Sequence, residues 1–388
     1  MNKTSTFLMA LCMVCSSACT RQQNGNLNGI PIADFSKVHP AKDLLVSQHA
    51  DVEYIRMETS DEVLLDGIAN TYLSVTDRYI VTNNMQEGRI FVFDRQGKHL
   101  HNFKRKGGSG EEYIMVQVLR VDDKAEEIFV LDILNKVLVY SLDGTFKRVL
   151  NIPKDMKADD LWIYDDEWLL SYDSYNVDQN RPCHEQPYFL LSKKDGSVKR
   201  LPVNAKDRIG RYIQYEQDGQ KGIMSVSFNY IYKNGDEFVL GELGNDTVFM
   251  LKQGEISPLL ARTPGSKEQD TRSIMCTPLK LGDYIGVTET PKKLEPGKQI
   301  VTKDVFINLK TGDNCSLALK DDVNFTEPTD INHSNQWVDA PKNHILWMPN
   351  TDKLFQWKEE GKLKGKLAEM VEEMTEDDNP ILIIYKFR

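Results

Sequence analysis

Cysteine is scarce in this chain of 388 residues, which contains six. Beyond residue 19 only Cys183, Cys276 and Cys315 remain, at wide and irregular spacing. An odd number of cysteines at such spacing fits neither a disulfide framework nor a tetrahedral zinc site. One disulfide with one thiol left over is compatible with the sequence, which does not decide whether it forms.

Long apolar runs are also missing. The apolar stretch near the start, Phe7–Val14, is much shorter than the roughly 20 residues that span a bilayer as a helix. It follows Lys3 and precedes the small residues at 16–18, which is the pattern of a signal peptide. The chain is therefore predicted to be exported rather than to span a membrane.

The residues at the predicted cleavage point, Ser16-Ser17-Ala18-Cys19, resemble a lipobox, at which bacterial lipoproteins gain a diacylglyceryl group on the cysteine. Cys19 is therefore the predicted lipidation site, and the polar residues after it suit a tether to the outer membrane or its periplasmic side. The predicted domains are a signal peptide at 1–18, a lipidated cysteine with a spacer at 19–50, and a propeller at 51–388. Ordinary signal peptidase would cut at the same bond, so a soluble secreted protein is the alternative.

Basic charge is in deficit, because 58 acidic residues outnumber 48 basic ones and give a net charge of -10. Removal of residues 1–18 takes away Lys3 and leaves -11. Such an acidic chain repels phosphate backbones, so we expect no nucleic-acid partner. Motifs such as His-Glu-x-x-His and Gly-x-Ser-x-Gly are absent, so no catalytic residue is assigned and a role other than catalysis is favoured.

What the sequence does contain is a repeat of an apolar run, a second alternating run and a glycine turn. The turn glycines of six copies stand at 97, 144, 196, 254, 312 and 361, which are 47 to 58 residues apart. This period is typical of propeller blades, so the predicted fold class is all-β, a six-bladed β-propeller of four-stranded blades with a short C-terminal helix. A pair of β-sandwiches would not repeat the same hairpin at this interval.

The two ends of the chain are predicted to close the ring. The sixth copy is interpreted as strands at 344–347 and 353–357 with a turn at 359–361. Two further strand patterns, at 52–57 and 381–385, lie outside the six copies, and either of them would complete the last blade. Residues 362–374 alone have helical spacing, which predicts a helix that covers the propeller edge.

Three segments resemble the six-bladed β-propeller lipoproteins of Gram-negative gut-type bacteria, which are distant relatives of NHL-repeat propellers. They are the run at 92–98, the ending at 379–382 and, most specifically, the basic glycine-rich turn at 103–113. Ser109 stands where that family commonly has proline. The resemblance covers most of residues 51–388 and implies the fold, export and lipid attachment, but it implies no catalytic residue.

Polar segments with aromatic residues supply the candidate ligand contacts. Backbone N–H groups of a glycine-rich turn suit an anion, and an aromatic face beside a carboxylate suits a sugar or a cation. The candidates are Arg105, Lys106, Glu112, Tyr113, Tyr172, Asp173, His333 and Trp337. For each of them, a structural role in a turn or at a blade edge is the alternative.

The predicted function is a cell-envelope lipoprotein that binds a glycan, a peptide or a protein partner on one propeller face, without a cofactor. The alternative is a calcium-dependent hydrolase or lyase, which would gather inward Asp, Asn, Glu and His at the channel mouth. A third alternative, a structural scaffold, would have an apolar channel and exposed aromatics scattered singly. The sequence identifies neither the ligand, nor the side of the outer membrane, nor the oligomeric state.

Overall fold

The computed structural model describes residues 26–27, 29–65, 72–177, 181–217, 219–225, 229–268, 273–275, 279–291, 293, 301–331 and 338–388. Most of these residues lie in short β-strands, in agreement with the all-β prediction. Three short α-helices lie among them. Within the described residues, no helix has both the length and the apolar character needed to cross a membrane.

The first strands of the chain do not form a sheet of their own. They are β1 (Asn26–Leu27), β2 (Ile30–Asp34), β3 (Ala41–Leu45) and, after the one-turn helix α1 (Val46–His49), β4 (Ala50–Arg56). Strands β2, β3 and β4 each pair with a strand that lies more than two hundred residues later in the sequence.

Three antiparallel sheets follow, in which chain neighbours pair. Sheet 1 contains β5 (Leu73–Val75), β6 (Tyr79–Asn84), β7 (Arg89–Asp94) and β8 (His99–Lys104). Sheet 2 contains β9 (Val116–Asp122), β10 (Glu127–Asp132), β11 (Lys136–Ser141) and β12 (Phe146–Asn151). Sheet 3 contains β13 (Ala158–Ile163), β14 (Trp168–Asp173), β15 (Tyr188–Ser192) and β16 (Val198–Arg200). Strand β9 contacts both β5 and β13, so the three sheets converge on their first strands.

A two-stranded hairpin precedes the next two sheets. Its strands are β17 (Tyr212–Gln217) and β18 (Gln220–Ser225). Sheet 4 contains β19 (Ile231–Asn234), β20 (Glu237–Leu240), β21 (Thr247–Lys252) and β22 (Glu255–Thr263). After a 3-10 turn (Ser266–Glu268), sheet 5 contains β23 (Ser273–Met275), β24 (Leu279–Leu281), β25 (Tyr284–Pro291), β26 (Lys303–Asn308), β27 (Asn314–Asp321) and β28 (Thr329–Asp330).

Sheet 6 brings the two ends of the chain together. Its region contains β29 (Val338–Asp339), β30 (His344–Trp347), the helices α2 (Thr351–Glu359) and α3 (Gly365–Glu372), and β31 (Ile381–Phe387). Strand β29 pairs with β5 of sheet 1, whereas β31 lies between β30 and β4. The two strand patterns that lie outside the six copies, at 52–57 and 381–385, therefore both form strands, and they pair with each other.

The prediction for the sixth repeat is wrong in its second strand. Residues 353–357 belong to α2, where the Asn350 side chain caps the helix by accepting from the Lys353 N–H, and the predicted turn at 359–361 is the end of this helix. Leu354 and Trp357 are buried, and the Trp357 ring packs edge-on against Phe325. Apolar residues three apart form one face of a helix, so the tertiary contact favours the helix. The one helix that the sequence predicts, at 362–374, is confirmed as α3.

The N-terminal segment runs along the outer edges of sheets 4 and 5. Strand β2 pairs in parallel with β22, and β3 pairs in parallel with β27. These residues lie within the 19–50 segment that the sequence predicts as a spacer. Within the described residues, sheets 2 and 3 have the predicted four strands, and sheet 6 has three. Sheets 1, 4 and 5 have five, six and seven, because β29 joins sheet 1, β1 and β2 join sheet 4, and β3 joins sheet 5.

The core lies between neighbouring sheets. Every residue of β10 is buried, because sheets 1 and 3 cover the two faces of sheet 2. In β12 at the outer edge, only Leu150 is buried, and the other residues are half-buried or exposed. One apolar cluster joins sheets 1, 2 and 3, and another joins sheets 3 and 4. Small antiparallel sheets that follow in chain order and pack face to face constitute a β-propeller fold.

Candidate apolar interaction face

The two ends of the sheets carry different connections, because antiparallel strands alternate in direction. At one end, here called the crossover face, the chain passes to the next sheet and turns between the second and third strands. In the first four sheets the described crossover segments are 85–88, 105–115, 133–135, 152–157, 174–177, 181–187, 201–211, 241–246 and 264–268, and the β17–β18 hairpin lies between sheets 3 and 4. The opposite end, the hairpin face, carries the turns with glycines 97, 144 and 196.

Large apolar side chains that are exposed to solvent are concentrated among the crossover connections. They are Ile114, Met115, Ile133, Leu134, Tyr175, Ile223, Met224 and Val301. Three more, Val38, Leu64 and Leu100, lie elsewhere. A single exposed apolar residue is ordinary, whereas a group of them marks a surface that contacts another molecule.

Four of these side chains form an apolar patch, defined as Ile114, Met115, Ile133 and Leu134. Two segments that are distant in sequence meet here, because the Ile133 N–H donates to the Met115 carbonyl at 3.2 Å. The buried carboxylate of Asp132 accepts from the N–H groups of Ile114 and Met115 at 3.0 and 3.1 Å. Asp132 therefore fixes the backbone of both segments, while the four side chains point to solvent.

Tyr175 extends this surface onto sheet 3. The Asp173 carboxylate accepts from the N–H groups of Lys157 and Tyr175, both at 3.0 Å. On the neighbouring turn of sheet 2, the Asn135 amide donates to the Met156 carbonyl at 2.8 Å. The crossover segment 152–157 is thus hydrogen-bonded to sheet 2 through Met156 and to sheet 3 through Lys157. The exposed Tyr175 lies on the same face as the apolar patch.

The hairpin face carries ion pairs between neighbouring sheets. Arg78 of sheet 1 pairs with Glu126 of sheet 2 at 2.8 Å. Lys193 of sheet 3 pairs with Asp122 of sheet 2 at 2.5 Å, and both of these side chains are buried.

The crossover face carries ion pairs as well, for example between Arg211 and Asp159 at 2.9 Å. The two ends of the sheets differ in exposed apolar side chains, because the described turns of the hairpin face in sheets 1 to 3 expose no large apolar residue.

The predicted anion site is the turn at 105–113. The carboxylate of Glu112 accepts from the Ser109 N–H at 2.9 Å, and this bond holds the pKa of Glu112 below its ordinary value. Glu112 therefore fills the turn that the sequence offers to an external anion. A ligand there would first have to displace this carboxylate.

The other predicted residues of this turn bond to neighbouring backbone. Arg105 donates from Nε to the Gly144 carbonyl at 3.1 Å, and Lys106 donates to the Gln86 carbonyl at 2.9 Å. Tyr113 is fully buried, and its hydroxyl donates to the Gly88 carbonyl. These contacts link sheets 1 and 2 across the crossover.

Tyr172 and Asp173 lie in the interior between sheets 3 and 4. Tyr172 stacks on Tyr230 with 3.4 Å between ring centroids, and its hydroxyl donates to Glu242 at 2.5 Å. Burial raises the pKa of Tyr172 well above its ordinary value. Asp173 also accepts from Arg200 at 2.7 Å. The structure therefore gives both residues internal partners.

Three predicted positions, Cys19, His333 and Trp337, lie outside the described residues. Asp339, close to the last two in sequence, is buried and pairs with Lys233 of sheet 4 at 3.0 Å. The segment 338–339 therefore contacts two sheets, because β29 pairs with β5 of sheet 1 and Asp339 pairs with Lys233 of sheet 4.

The first strands of sheets 2 and 3, β9 and β13, carry a charged cluster that the sequence did not reveal. The buried guanidinium of Arg120 lies over the Trp162 ring, 3.9 Å from its centroid, and 3.7 Å from the Asp160 carboxylate. Arg120 also donates to the Leu119 carbonyl at 2.8 Å. Burial raises the pKa of Asp160 to about 6, against the opposing effect of Arg120. Their sequence signal was a charged residue within an otherwise apolar strand.

No cluster of three or more His, Cys, Asp and Glu among the described residues is placed to hold a metal ion. A cavity of about 250 Å³ lies beside the start of α2. Four of the ten residues that line it are acidic, namely Asp352, Glu376, Asp377 and Asp378.

Asn379 has a positional role that sequence reasoning missed. Its amide donates to the Glu58 and Val63 carbonyls, both at 2.7 Å, and its oxygen accepts from the Leu65 N–H at 2.8 Å. It thereby fastens the start of β31 to the segment after β4.

Sequence reasoning also missed the apolar patch. The signal that could have revealed it is the pair of large apolar residues Ile133 and Leu134 in a turn between strands, where polar residues and glycine are usual.

Comparison with known proteins gives a family. The family model described as "Domain of unknown function (DUF4934)" matches residues 30–386. No curated protein matches the chain.

One of the similar solved structures shows a shared fold. The chain is similar to BF0058 of Bacteroides fragilis, a protein named for its expected export, at 15% identity and a TM-score of 0.62, over 92% of this chain and 99% of that one. A DUF4221 member from Bacteroides vulgatus aligns at 10% identity and a TM-score of 0.47, over 88% and 98% of the two chains. BamB from Moraxella catarrhalis aligns at 10% identity and a TM-score of 0.32, over 81% and 84%. Only the first likeness is strong enough to support the fold.

Proposed function

The chain belongs to the DUF4934 family, and we propose that it is an exported propeller that binds a protein partner through its crossover face. One observation carries this proposal. The exposed apolar side chains are grouped on that face, around Ile114, Met115, Ile133 and Leu134, whereas the described turns of the hairpin face in sheets 1 to 3 expose no large apolar side chain. A scaffold without a partner would gain nothing from keeping these residues exposed.

The proposed architecture is a ring of six blades, one for each of the sheets 1 to 6. Its support is the contact of β9 with both β5 and β13, and the pairing of the C-terminal β31 with the N-terminal β4. Pairing of the first and last parts of a chain in one blade closes a ring without leaving a free edge between its ends.

Export and attachment complete the proposal. The signal sequence at 1–18 directs the chain out of the cytoplasm, and a lipid on Cys19 holds it in the cell envelope. Six residues separate Cys19 from β1, so the seven Cα–Cα steps between them reach about 25 Å when extended. This short tether keeps the edge of sheet 4, where β2 pairs, near the membrane.

Site-specific photo-cross-linking in cells of the native host tests the partner proposal. A photoreactive residue at Leu134 is expected to cross-link one defined protein, whereas the same residue at Leu100 is the matched control. Both side chains are exposed, at 63% and 38%, but Leu100 lies on the outer strand β8, away from the crossover face. Equal cross-linking at both positions, or none at Leu134, would contradict the proposal.

The purified partner then allows a quantitative measurement. Burial of the exposed part of a leucine side chain stabilises a complex by about 1.5 kcal/mol, which corresponds to about tenfold in the dissociation constant. Leu134→Ser is therefore expected to weaken binding about tenfold in calorimetric titration, and Leu100→Ser to leave it unchanged. An unchanged dissociation constant for Leu134→Ser would remove the patch from the interface.

A further inference from the structure

Three neighbouring sheets repeat one hydrogen bond at the crossover face. In each sheet, the residue before the first strand donates its N–H to the side-chain oxygen of an Asn or Asp near the end of the second strand. The pairs are Tyr72 with Asn83 at 2.9 Å in sheet 1, Met115 with Asp132 at 3.1 Å in sheet 2, and Lys157 with Asp173 at 3.0 Å in sheet 3. Asn83, Asp132 and Asp173 therefore occupy equivalent positions of the repeat.

These equivalent side chains differ in charge and in how the charge is balanced. Asn83 is neutral, and the second oxygen of Asp173 accepts from Arg200 at 2.7 Å. Asp132 is fully buried, and its second oxygen, Oδ2, makes no hydrogen bond in the part of the chain that the structure describes. Sheet 2 thus holds a buried carboxylate without the cation that its counterpart in sheet 3 has.

The cross-strand neighbour of Asp132 is a cation, but its ammonium bonds elsewhere. Lys136 on β11 stands opposite Asp132 in the sheet, and its Nζ donates to the Glu112 carbonyl at 2.9 Å. A buried charge without a partner is costly, so its presence calls for a reason in the function of the protein.

Asp132 lies directly beneath the apolar patch. Its bonded oxygen accepts from the N–H groups of Ile114 and Met115, and Ile133 follows it in the chain. The four side chains of the patch are 40% to 63% exposed. Exposed side chains change rotamer readily. A molecule that packs on the patch is therefore separated from the carboxylate by one layer of movable side chains.

We propose that the protein partner of the crossover face inserts an arginine side chain, flanked by apolar residues, whose guanidinium pairs with Asp132. This inference rests on the proposed function of that face and names the chemistry of its partner. Sheet 3 provides the precedent, because Arg200 binds Asp173 at the equivalent position. A guanidinium is more weakly hydrated than an ammonium and so suits a buried pair. The net charge of -10 on the chain favours the approach of a cationic surface.

Two matched variants test whether Asp132 lacks a cation within the chain. Asparagine keeps the oxygen that accepts from Met115, as Asn83 does in sheet 1, and removes only the charge. The urea midpoint of Asp132→Asn is therefore expected to stay at or above that of the wild type. Asp173→Asn leaves Arg200 unpaired and is expected to lower the midpoint. Equal falls in the two variants would show that Asp132 is already paired within the chain, and would overturn the proposal.

The compound n-butylguanidinium probes the site itself, because it joins the proposed cation to an apolar chain. Methyl NMR of the wild type is expected to show saturable shifts at the side chains of the patch. The neutral n-butylurea, of nearly the same shape, is expected to bind at least about tenfold more weakly. Asp132→Asn should abolish this preference, whereas Asp155→Asn, which removes an exposed carboxylate from the same face, should retain it. A wild type without the preference, or an Asp132→Asn variant that keeps it, overturns the proposal.

The protein captured at Leu134 separates this inference from the proposed function. In calorimetric titration, Asp132→Asn is expected to weaken its binding at least about thirtyfold, as for one member of a buried charge pair, and Asp155→Asn to leave it unchanged. Weaker binding by Leu134→Ser together with unchanged binding by Asp132→Asn overturns the arginine proposal and leaves the proposed function standing. If Leu134 captures no protein, the proposed function fails, and the n-butylguanidinium titration still decides whether Asp132 accepts a cation.

Discussion

Asp160 illustrates how a single residue connects burial with pH. Its carboxyl is buried beside Arg120 and Trp162, and burial raises its pKa from 3.8 to about 6 in spite of the guanidinium. An acid whose pKa is higher in the folded state binds its proton more tightly there. The stability that it contributes is therefore complete below pH 3.8 and is lost as the pH rises through 6.

The free energy of unfolding is expected to record this loss. Between pH 4 and pH 7, Asp160 lowers it by up to about 3 kcal/mol, from a pKa difference of about two units. Asp160→Asn, which does not titrate, removes this part of the pH dependence. Urea unfolding across that range measures both proteins, and the comparison concerns the slopes, because Asn also weakens the pairing with Arg120. Parallel curves for the two proteins would show that Asp160 has no raised pKa.

At the scale of the structural element, the glycine turns of the repeat do more than reverse the chain. Gly144 and Gly254 occupy equivalent turns with nearly the same left-handed backbone, at φ of +82° and +83°. A Cβ at Gly144 would overlap the ring of Phe103 from sheet 1, whereas a Cβ at Gly254 would meet nothing within 4 Å. The first turn therefore also packs a sheet against its neighbour.

The two glycines are thus expected to respond differently to the same change. Gly254→Ala should destabilise the protein by about 1 kcal/mol, the cost of the left-handed backbone for alanine. Gly144→Ala should cost about 3 kcal/mol, because the displacement of Phe103 is added. Chemical denaturation gives both values, and equal losses would mean that the contact between the sheets adjusts freely.

At the scale of the whole molecule, the chain ends hold the fold together. Strand β31 pairs with β30 on one side and with β4 on the other. Its residues Ile381, Ile383 and Tyr385 are fully buried in the cluster that also covers α2 and α3. Removal of β31 would leave two open strand edges and an exposed apolar face.

Deletion of residues 381–388 is therefore expected to abolish cooperative unfolding. Near-ultraviolet circular dichroism during a urea titration measures this, and the expected result is a shallow curve without a plateau. A chain that begins at Gly29 serves as the control, because it loses only β1, which pairs solely with β2. A sharp transition in the C-terminal deletion would show that the remaining sheets fold without closure by β31.

The sequence by itself determined those strands and turns whose partners lie close by in the sequence. Sheets 2 and 3 match the predicted repeat, since their strands pair with the next strand along the chain. Apart from residues 174–187 between β14 and β15, these strands are joined by short turns, which leave a local pattern. Only the tertiary structure decided that residues 353–357 form a helix, because their neighbour Phe325 is remote in sequence. It also decided the parallel pairing of β2 and β3 and the exposure of Ile133 and Leu134. Pairing between distant strands leaves no local signature, and whether an apolar side chain is covered depends on the sheet beside it.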